Sequence, residues 1–167
     1  MPKTKEKFDL TDAKILNLLQ KDARKTIKEI AGLLNLSTTP VFERIKRLEK
    51  KGVIEKYVAI LNPHSIGKKL NAFVHLSIID HSKEAVESFV NQVFQYDEVM
   101  ECHHVTGDSD FLLKIIVEDI EQYNEFILNK LSVVGNIGTV KSSFSLSIRK
   151  DTNAIHVDLG QAKNGKS

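Results

Sequence analysis

The sequence has 167 residues, 41% of them apolar and 28% charged, a composition typical of a soluble globular protein with one or two domains. Its single cysteine, Cys102, excludes an internal disulfide and a cysteine-based zinc site, and no apolar run approaches the roughly 20 residues needed to cross a bilayer. Segment 1–7 carries three lysines without the apolar core of a signal peptide, so we expect a cytoplasmic protein with no membrane partner.

The net charge of +2 hides a difference between the two halves of the chain. Residues 1–63 contain 14 Lys or Arg and 8 Asp or Glu, whereas residues 64–167 contain 10 and 14. A basic half joined to an acidic half indicates that the first half binds a polyanion. Chance clustering of surface lysines is the alternative, and the motifs have to decide between them.

The first half predicts three helices. The first runs from Asp9 to Lys21, with Asp9 or Thr11 as its cap. Thr26 and Glu29 have the spacing of a capping box and predict the start of a second, short helix.

A tight turn over residues 35–37 follows, with Leu36 expected to be buried and Ser37 as the next cap. Pro40 is tolerated in the first turn of the third helix, and Gly52 ends that helix. Residues 53–60 are expected to be extended and to form a strand pair, the wing. This order is that of a winged helix-turn-helix with a basic third helix.

The third helix has the features of a helix that reads the major groove of DNA. Small hydroxyl residues at its start can approach phosphates and base edges, and Arg44 and Arg47 offer planar forks to guanine or phosphate. The predicted DNA-binding residues are Lys25, Thr26, Ser37, Thr38, Thr39, Pro40, Arg44, Lys46 and Arg47. A solvated basic helix on a small bundle is the alternative interpretation.

The second half predicts a strand-helix-strand-strand-helix-strand order. Strands are expected over 70–79, 99–106, 110–117 and 140–148, with helices capped by Ser82 and Asp119. The order is that of a ferredoxin-like βαββαβ domain, and therefore of an α+β protein whose antiparallel sheet has helices on one face. The other face is expected to be covered, solvated or paired with a second copy, and a sheet of this size with one uncovered face commonly dimerises. We assign domains to 1–63 and 64–150, and a frayed polar tail to 151–167.

The sequence contains no catalytic constellation and no metal-binding cluster. Cys102, His103 and His104 are consecutive on a predicted strand, so neighbouring side chains point to opposite faces and too few share one face. No Ser-His-Asp, glycine-rich phosphate-binding or His-Glu-x-x-His motif is present. We therefore predict neither an enzyme nor a required cofactor.

Two stretches resemble the leucine-responsive regulator/asparagine regulator (Lrp/AsnC) family. Residues 36–49 followed by Gly52-Val53-Ile54 are similar to its helix-turn-helix signature, and residues 101–114 are similar to its effector loop with flanking strands. The resemblance covers about 9–149. It implies homodimers that assemble into tetramers or octamers, double-stranded DNA as a partner, and an amino acid as effector, bound between dimers.

The resemblance also implies a set of effector-binding residues. They are Thr106, Gly107, Asp108, Ser109, Asp110, Ile120, Ser143 and Ser145. Ser109 and Ser143 replace the aromatic residues usual at these positions, which leaves the identity of the amino acid open. The sequence therefore favours an effector-modulated, sequence-specific transcription regulator. An architectural protein that binds DNA without an effector is the alternative.

Overall fold

A computed structural model describes residues 9–158 and divides them into two compact units. The helical unit comprises residues 9–59 and 150–158, and the sheet unit comprises residues 60–149. The chain therefore leaves the helical unit and later returns to it. The proposed boundary at 63/64 lies four residues beyond the end of the first segment of the helical unit.

The elements follow the predicted order. They are α1 (Leu10–Lys21), α2 (Ile27–Leu34), α3 (Thr38–Lys50), a 3₁₀ turn (Pro63–Ile66), β1 (Leu70–Ile78), α4 (Lys83–Val93), β2 (Val99–His104), β3 (Phe111–Val117), α5 (Ile120–Asn129), a 3₁₀ turn (Leu131–Val133) and β4 (Ile137–Phe144).

Side-chain caps begin α1 and α2 as the sequence predicts. Asp9 accepts a hydrogen bond from the N–H of Asp12 at 2.8 Å. Thr26 and Glu29 form a reciprocal capping box, in which the Thr26 N–H donates to Glu29 and the Glu29 N–H donates to Thr26. Both caps satisfy backbone donors that have no partner inside the helix.

Backbone geometry ends α2 and α3. Asn35 adopts the left-handed conformation with φ of 54°, and the N–H of Leu36 reaches back to the carbonyl of Ala31. After α3, Gly52 has φ of 68° and the N–H of Val53 donates to the carbonyl of Leu48. This pattern confirms Gly52 as the residue that ends α3.

The core of the helical unit is formed by one face of each helix. Val41, Ile45 and Leu48 are the buried stripe of α3, as the spacing predicts. Two expectations were wrong. Leu36 is 40% exposed, and residues 53–60 form no strand. The N–H groups of Val53 and Ile54 instead donate to the last turn of α3, so the chain turns against the helix core at this point.

The sheet unit contains an antiparallel sheet in the order β2-β3-β1-β4. Alternate residues of β1 and β3 are buried against α4 and α5, and the rings of Phe89 and Phe111 lie 4.7 Å apart in this core. The other residues of these strands form the open face of the sheet, which includes Phe73, His75 and Leu112.

Strand β4 begins and ends earlier than the sequence predicts. It spans Ile137–Phe144, and Leu146 and Ile148 are 100% and 56% exposed. Phe144 pairs with Ala72, and the N–H of Ser145 donates to Asn71, beyond which β1 has one residue left. The length of β1 therefore sets the end of β4, and Ser145 follows the strand instead of lying on it.

The tail after β4 is not frayed over the residues that the structure describes. Ile155 and Val157 form hydrogen bonds with side chains of α1, and Val157 packs against the helical core. The rest of the predicted tail, 159–167, and the lysine-rich segment 1–7 lie outside the described residues. No helix within 9–158 has the length and apolarity needed to span a bilayer.

Candidate nucleic-acid interface and effector cleft

The first turns of α2 and α3 border an open groove on the helical unit. The groove has a volume of about 500 Å³ and is lined by Thr26, Ile27, Lys28, Thr38, Thr39 and Phe42. The N-terminal ends of two helices thus meet at one surface, and each end carries backbone N–H groups and the positive end of a helix dipole. Such a surface attracts phosphate.

The start of α3 is exposed, as a DNA-contacting turn must be. Ser37, Thr38 and Thr39 are exposed, and Pro40 is half-buried. Ser37 is the N-cap of α3 but makes no side-chain capping bond, so its hydroxyl is not used in closing the helix.

Thr26 and Lys25 are engaged with neighbouring carboxylates. The Thr26 hydroxyl donates to Glu29 at 2.8 Å, and the Lys25 ammonium lies 3.4 Å from Asp22. The N–H and hydroxyl of Thr26 hold the pKa of Glu29 below its ordinary value. Thr26 lines the groove whereas Lys25 does not, and contact of either residue with DNA stays a prediction.

Arg44 and Arg47 contact a carboxylate of the protein itself. Asp12 is 4% exposed and accepts from Arg44 Nη1 at 2.7 Å and from Arg47 Nη2 at 2.8 and 2.7 Å. Arg44 also donates to Asp9. These bonds raise the pKa of Arg44, with the bond to Asp12 having the larger effect. The two arginines therefore join α3 to α1.

The two arginines differ in how much of each side chain faces solvent. Arg44 is 26% exposed and Arg47 is 47% exposed. The sequence does not distinguish the two arginines, because their partner Asp12 lies 32 and 35 residues away along the chain. Lys46 is 60% exposed, with its ammonium 2.8 Å from Glu49 and 5.9 Å from the Phe42 ring centroid.

A cleft lies where the open face of the sheet unit meets the loop after β2. It has a volume of about 410 Å³ and is lined by His75, Val105, Thr106, Asp108, Ser109, Leu112 and Lys141. Strand register brings the strand residues together, because His75 pairs with Leu112 on one side and with Lys141 on the other. Nδ1 of His75 lies 3.3 Å from the Ser109 hydroxyl.

The loop has the conformation that its glycine allows. Gly107 has φ of 121°, a region that residues with a side chain rarely adopt. Thr106, Asp108 and Ser109 on either side of Gly107 line the cleft, and their contact with an effector stays a prediction. Sequence reasoning missed His75, Leu112 and Lys141, whose only signal is their alternation onto the open face of the sheet.

The remaining predicted effector residues do not line this cleft. Asp110 accepts from the N–H of Ile78 at 2.8 Å, and its own N–H donates to Leu76, so it holds β3 to the irregular end of β1. Ile120 begins α5, Ser143 on β4 pairs with Phe73 on β1, and Ser145 follows β4. Their contact with an effector stays a prediction.

Family models match both units. The Lrp/AsnC ligand-binding domain matches residues 71–155, and a winged helix-turn-helix DNA-binding domain matches residues 8–55. The chain belongs to the Lrp/AsnC family. This Lrp/AsnC protein is a DNA-binding transcription regulator with a ligand-binding domain.

Known proteins similar to this Lrp/AsnC protein are regulators. The DNA-binding transcriptional activator DecR of Escherichia coli K12 is 35% identical over 151 residues, which cover 90% of this chain and 99% of DecR. The leucine-responsive regulatory protein of the same organism is 35% identical over 148 residues, covering 89% of this chain and 90% of that protein.

A solved relative contains an amino acid. It is the transcriptional regulator NMB0573 of Neisseria meningitidis in complex with L-Met, with a TM-score of 0.85 and 35% identity. The match covers 89% of this Lrp/AsnC chain and 96% of NMB0573.

Proposed function

We propose that this protein binds DNA through the groove of its helical unit and an amino acid in the cleft of its sheet unit, as a homodimer or larger assembly. The observation that carries the proposal is the composition of the cleft. Lys141 supplies a cation, Asp108 an anion, and Leu112 an apolar wall. A zwitterion with an apolar side chain requires these three kinds of contact.

The DNA-binding surface in this proposal is the groove with the exposed start of α3. The first-turn N–H groups of α3 and the ammonium groups of Lys28 and Lys46 contact phosphate, while Thr38 and Thr39 approach base edges. Arg44 holds α3 in place through Asp12, and Arg47 divides its donors between Asp12 and DNA. The contacts within the helical unit support this division, because Arg44 is the less exposed of the two arginines.

The salt dependence of DNA affinity tests this surface. Lys28→Ala and Lys46→Ala should each weaken binding to all duplexes and lower the slope of log affinity against log salt by about one. Lys83→Ala, which removes an 81% exposed lysine of the sheet unit, is the matched control and should leave the slope unchanged. Unchanged slopes in both the Lys28 and the Lys46 variant would show that DNA binds elsewhere.

In the cleft, Lys141 receives the carboxylate of the amino acid, Asp108 receives its ammonium, and Leu112 with Val105 contacts its side chain. Thr106 and Ser109 supply hydroxyls at the rim. The L-Met complex of the Neisseria relative supports an amino acid as the ligand class. Ser109 and Ser143 stand where the family usually has aromatic residues, so experiment has to identify the amino acid that binds.

Thermal denaturation in the presence of each of the twenty amino acids tests the cleft. An amino acid at 100 times its dissociation constant should stabilise the sheet unit by about 2.7 kcal/mol. Lys141→Met should abolish that shift, whereas the control Lys69→Met, an exposed lysine outside the cleft, should retain it. DNA binding without a shift from any amino acid would favour the effector-independent architectural protein instead.

The part of the open face around Phe73, outside the cleft, is the proposed dimer surface. Phe73 is 37% exposed on this face, between Lys114 on β3 and Ser143 on β4. An uncovered sheet face with an exposed aromatic residue is typical of a surface that a second copy covers. Sedimentation equilibrium should show a dimer or a multiple of it, and Phe73→Glu should shift the protein towards monomer. A monomeric wild-type protein would contradict the proposal.

A further inference from the structure

Residues 155–157 form a strap that two amide side chains hold against α1. Asn17 donates from Nδ2 to the carbonyl of Val157 at 3.2 Å and accepts from the N–H of Val157 at 3.3 Å. Gln20 donates from Nε2 to the carbonyl of Ile155 at 2.9 Å and accepts from its N–H at 2.7 Å. Each amide therefore pairs with both backbone groups of one strap residue, as a neighbouring β-strand does.

The sequence spacing on both sides fits this pairing. Asn17 and Gln20 are three residues apart in α1 and so lie on one helix face. Ile155 and Val157 are two residues apart in the strap, and the backbone N–H and carbonyl groups of both bond to side chains of α1. Val157 also packs against the core of the helical unit, which gives the strap an apolar anchor in addition to its hydrogen bonds.

The strap changes how the two units are joined. The chain leaves the helical unit after Ala59 and re-enters it at Lys150, so the first end of the sheet unit is joined to the helices by the chain itself and the second end by the noncovalent contacts of the strap. Residues 55–61, the first attachment, are exposed and form neither helix nor strand at any position. A single attachment restricts two joined units less than two attachments do. The strap is the second attachment.

We propose that the strap of residues 155–157, held by Asn17 and Gln20, restricts the orientation of the helical unit and thereby sets the half-site spacing that the dimer accepts on DNA. The proposal rests on the proposed DNA-binding dimer. A dimer that binds two half-sites loses less conformational entropy when its two DNA-binding units are already restricted. Release of the strap should therefore weaken binding to the preferred spacing and widen the range of spacings tolerated.

Binding to duplexes with varied spacing is the first test. A half-site selected by the wild-type protein from random-sequence duplexes is placed twice on DNA, with the separation increased one base pair at a time through about one helical turn. The wild type should show one preferred spacing. The variant Asn17→Ala/Gln20→Ala should lose about tenfold in affinity at that spacing and show a flatter profile.

Two controls test whether the strap variant is correctly folded: a matched double variant in α4, and binding to a single half-site. Asn91→Ala/Gln92→Ala removes two exposed amides from α4 in the sheet unit and should keep the wild-type profile. The strap variant should bind a single half-site with the affinity of the wild type, which would show that its DNA-binding surface is intact. A strap variant that keeps the wild-type spacing profile would overturn the proposal.

A distance measurement between spin labels tests the restriction without DNA. The labels are placed at Arg24→Cys in the helical unit, 95% exposed, and Lys83→Cys in the sheet unit, with Cys102→Ala removing the native thiol. The distance distribution should be wider in the strap variant than in the parent or the α4 variant. Equal widths would overturn the proposal whatever the DNA measurements show, and failure of the wild type to bind any duplex would overturn the proposed function instead.

Discussion

Replacing the buried carboxylate of Asp12 should destabilise the helical unit. The carboxylate is 4% exposed and accepts three hydrogen bonds from the guanidinium groups of Arg44 and Arg47, both on α3. Asp12→Ala removes the acceptor and leaves Arg44, which is 26% exposed, with the more exposed Asp9 as its remaining partner. Helix α3 then loses its bonds to the Asp12 carboxylate and keeps the pair between Arg44 and Asp9, the N-cap of α1.

The magnitude follows from the exposure of the two partners. A hydrogen bond to a charged group contributes about 1.5–3 kcal/mol when it is shielded from solvent. Arg47 is 47% exposed and can be solvated after the substitution, so its bonds count for little. The bond from Arg44 counts nearly in full. We expect Asp12→Ala to lower the free energy of opening of α1 and α3 by about 2–3 kcal/mol, and Asp12→Asn by less, because the amide oxygen still accepts.

Hydrogen exchange measured by mass spectrometry on the full chain resolves this effect by segment. A loss of 2–3 kcal/mol corresponds to roughly 30- to 150-fold faster exchange in peptides from α1 and α3. Glu43→Ala removes the same charge from an exposed position of α3 and should change exchange little. If Asp12→Ala accelerates exchange no more than Glu43→Ala does, the ion pairs to Asp12 do not stabilise the helical unit and the reasoning fails.

Three further predictions concern the sheet unit and the cap of α2. Phe89→Ala should destabilise the sheet unit by about 3–5 kcal/mol in thermal denaturation, because the fully buried ring leaves a cavity beside Phe111, whereas the 65% exposed Phe94 should tolerate alanine. Asp110→Ala should accelerate hydrogen exchange of the Ile78 amide, because the substitution removes the acceptor of that amide. If the variant no longer binds the effector while the Ile78 amide stays protected, Asp110 is a ligand residue instead. The pKa of Glu29 is lowered by its bonds from Thr26, so its stabilisation is present above its ordinary value of 4.5 and is lost as pH falls through the lower folded value. Glu29→Gln should flatten that acid-side decline in melting temperature, and an unchanged decline would contradict the assignment.

Local chemistry explains what the sequence predicts well. The caps Asp9, Thr26, Ser82 and Asp119 all accept a bond from a backbone N–H three residues later, so a window of four residues contains the whole interaction. The order of helices and strands follows from periodicity in the same way.

Contacts between distant segments explain most of what the sequence could not predict. The carboxylate of Asp12 meets Arg44 and Arg47 across 32 and 35 residues, and a basic helix alone gives no sign that two of its arginines are already bound. Lys141 reaches the cleft because β4 pairs with β1 in a register that sets it beside His75. The strap depends on contacts across 135 and 140 residues, which its polar composition does not reveal.

The return of the chain to the helical unit also affects the order in which the protein is completed during synthesis. Helix α1 is made before the sheet unit, whereas the residues that pair with Asn17 and Gln20 are made after the entire sheet unit. While the chain emerges from the ribosome, domains fold as they become available. The helix-turn-helix therefore exists first without its strap, and it acquires its final attachment only once the ligand-binding domain that precedes the strap has been made.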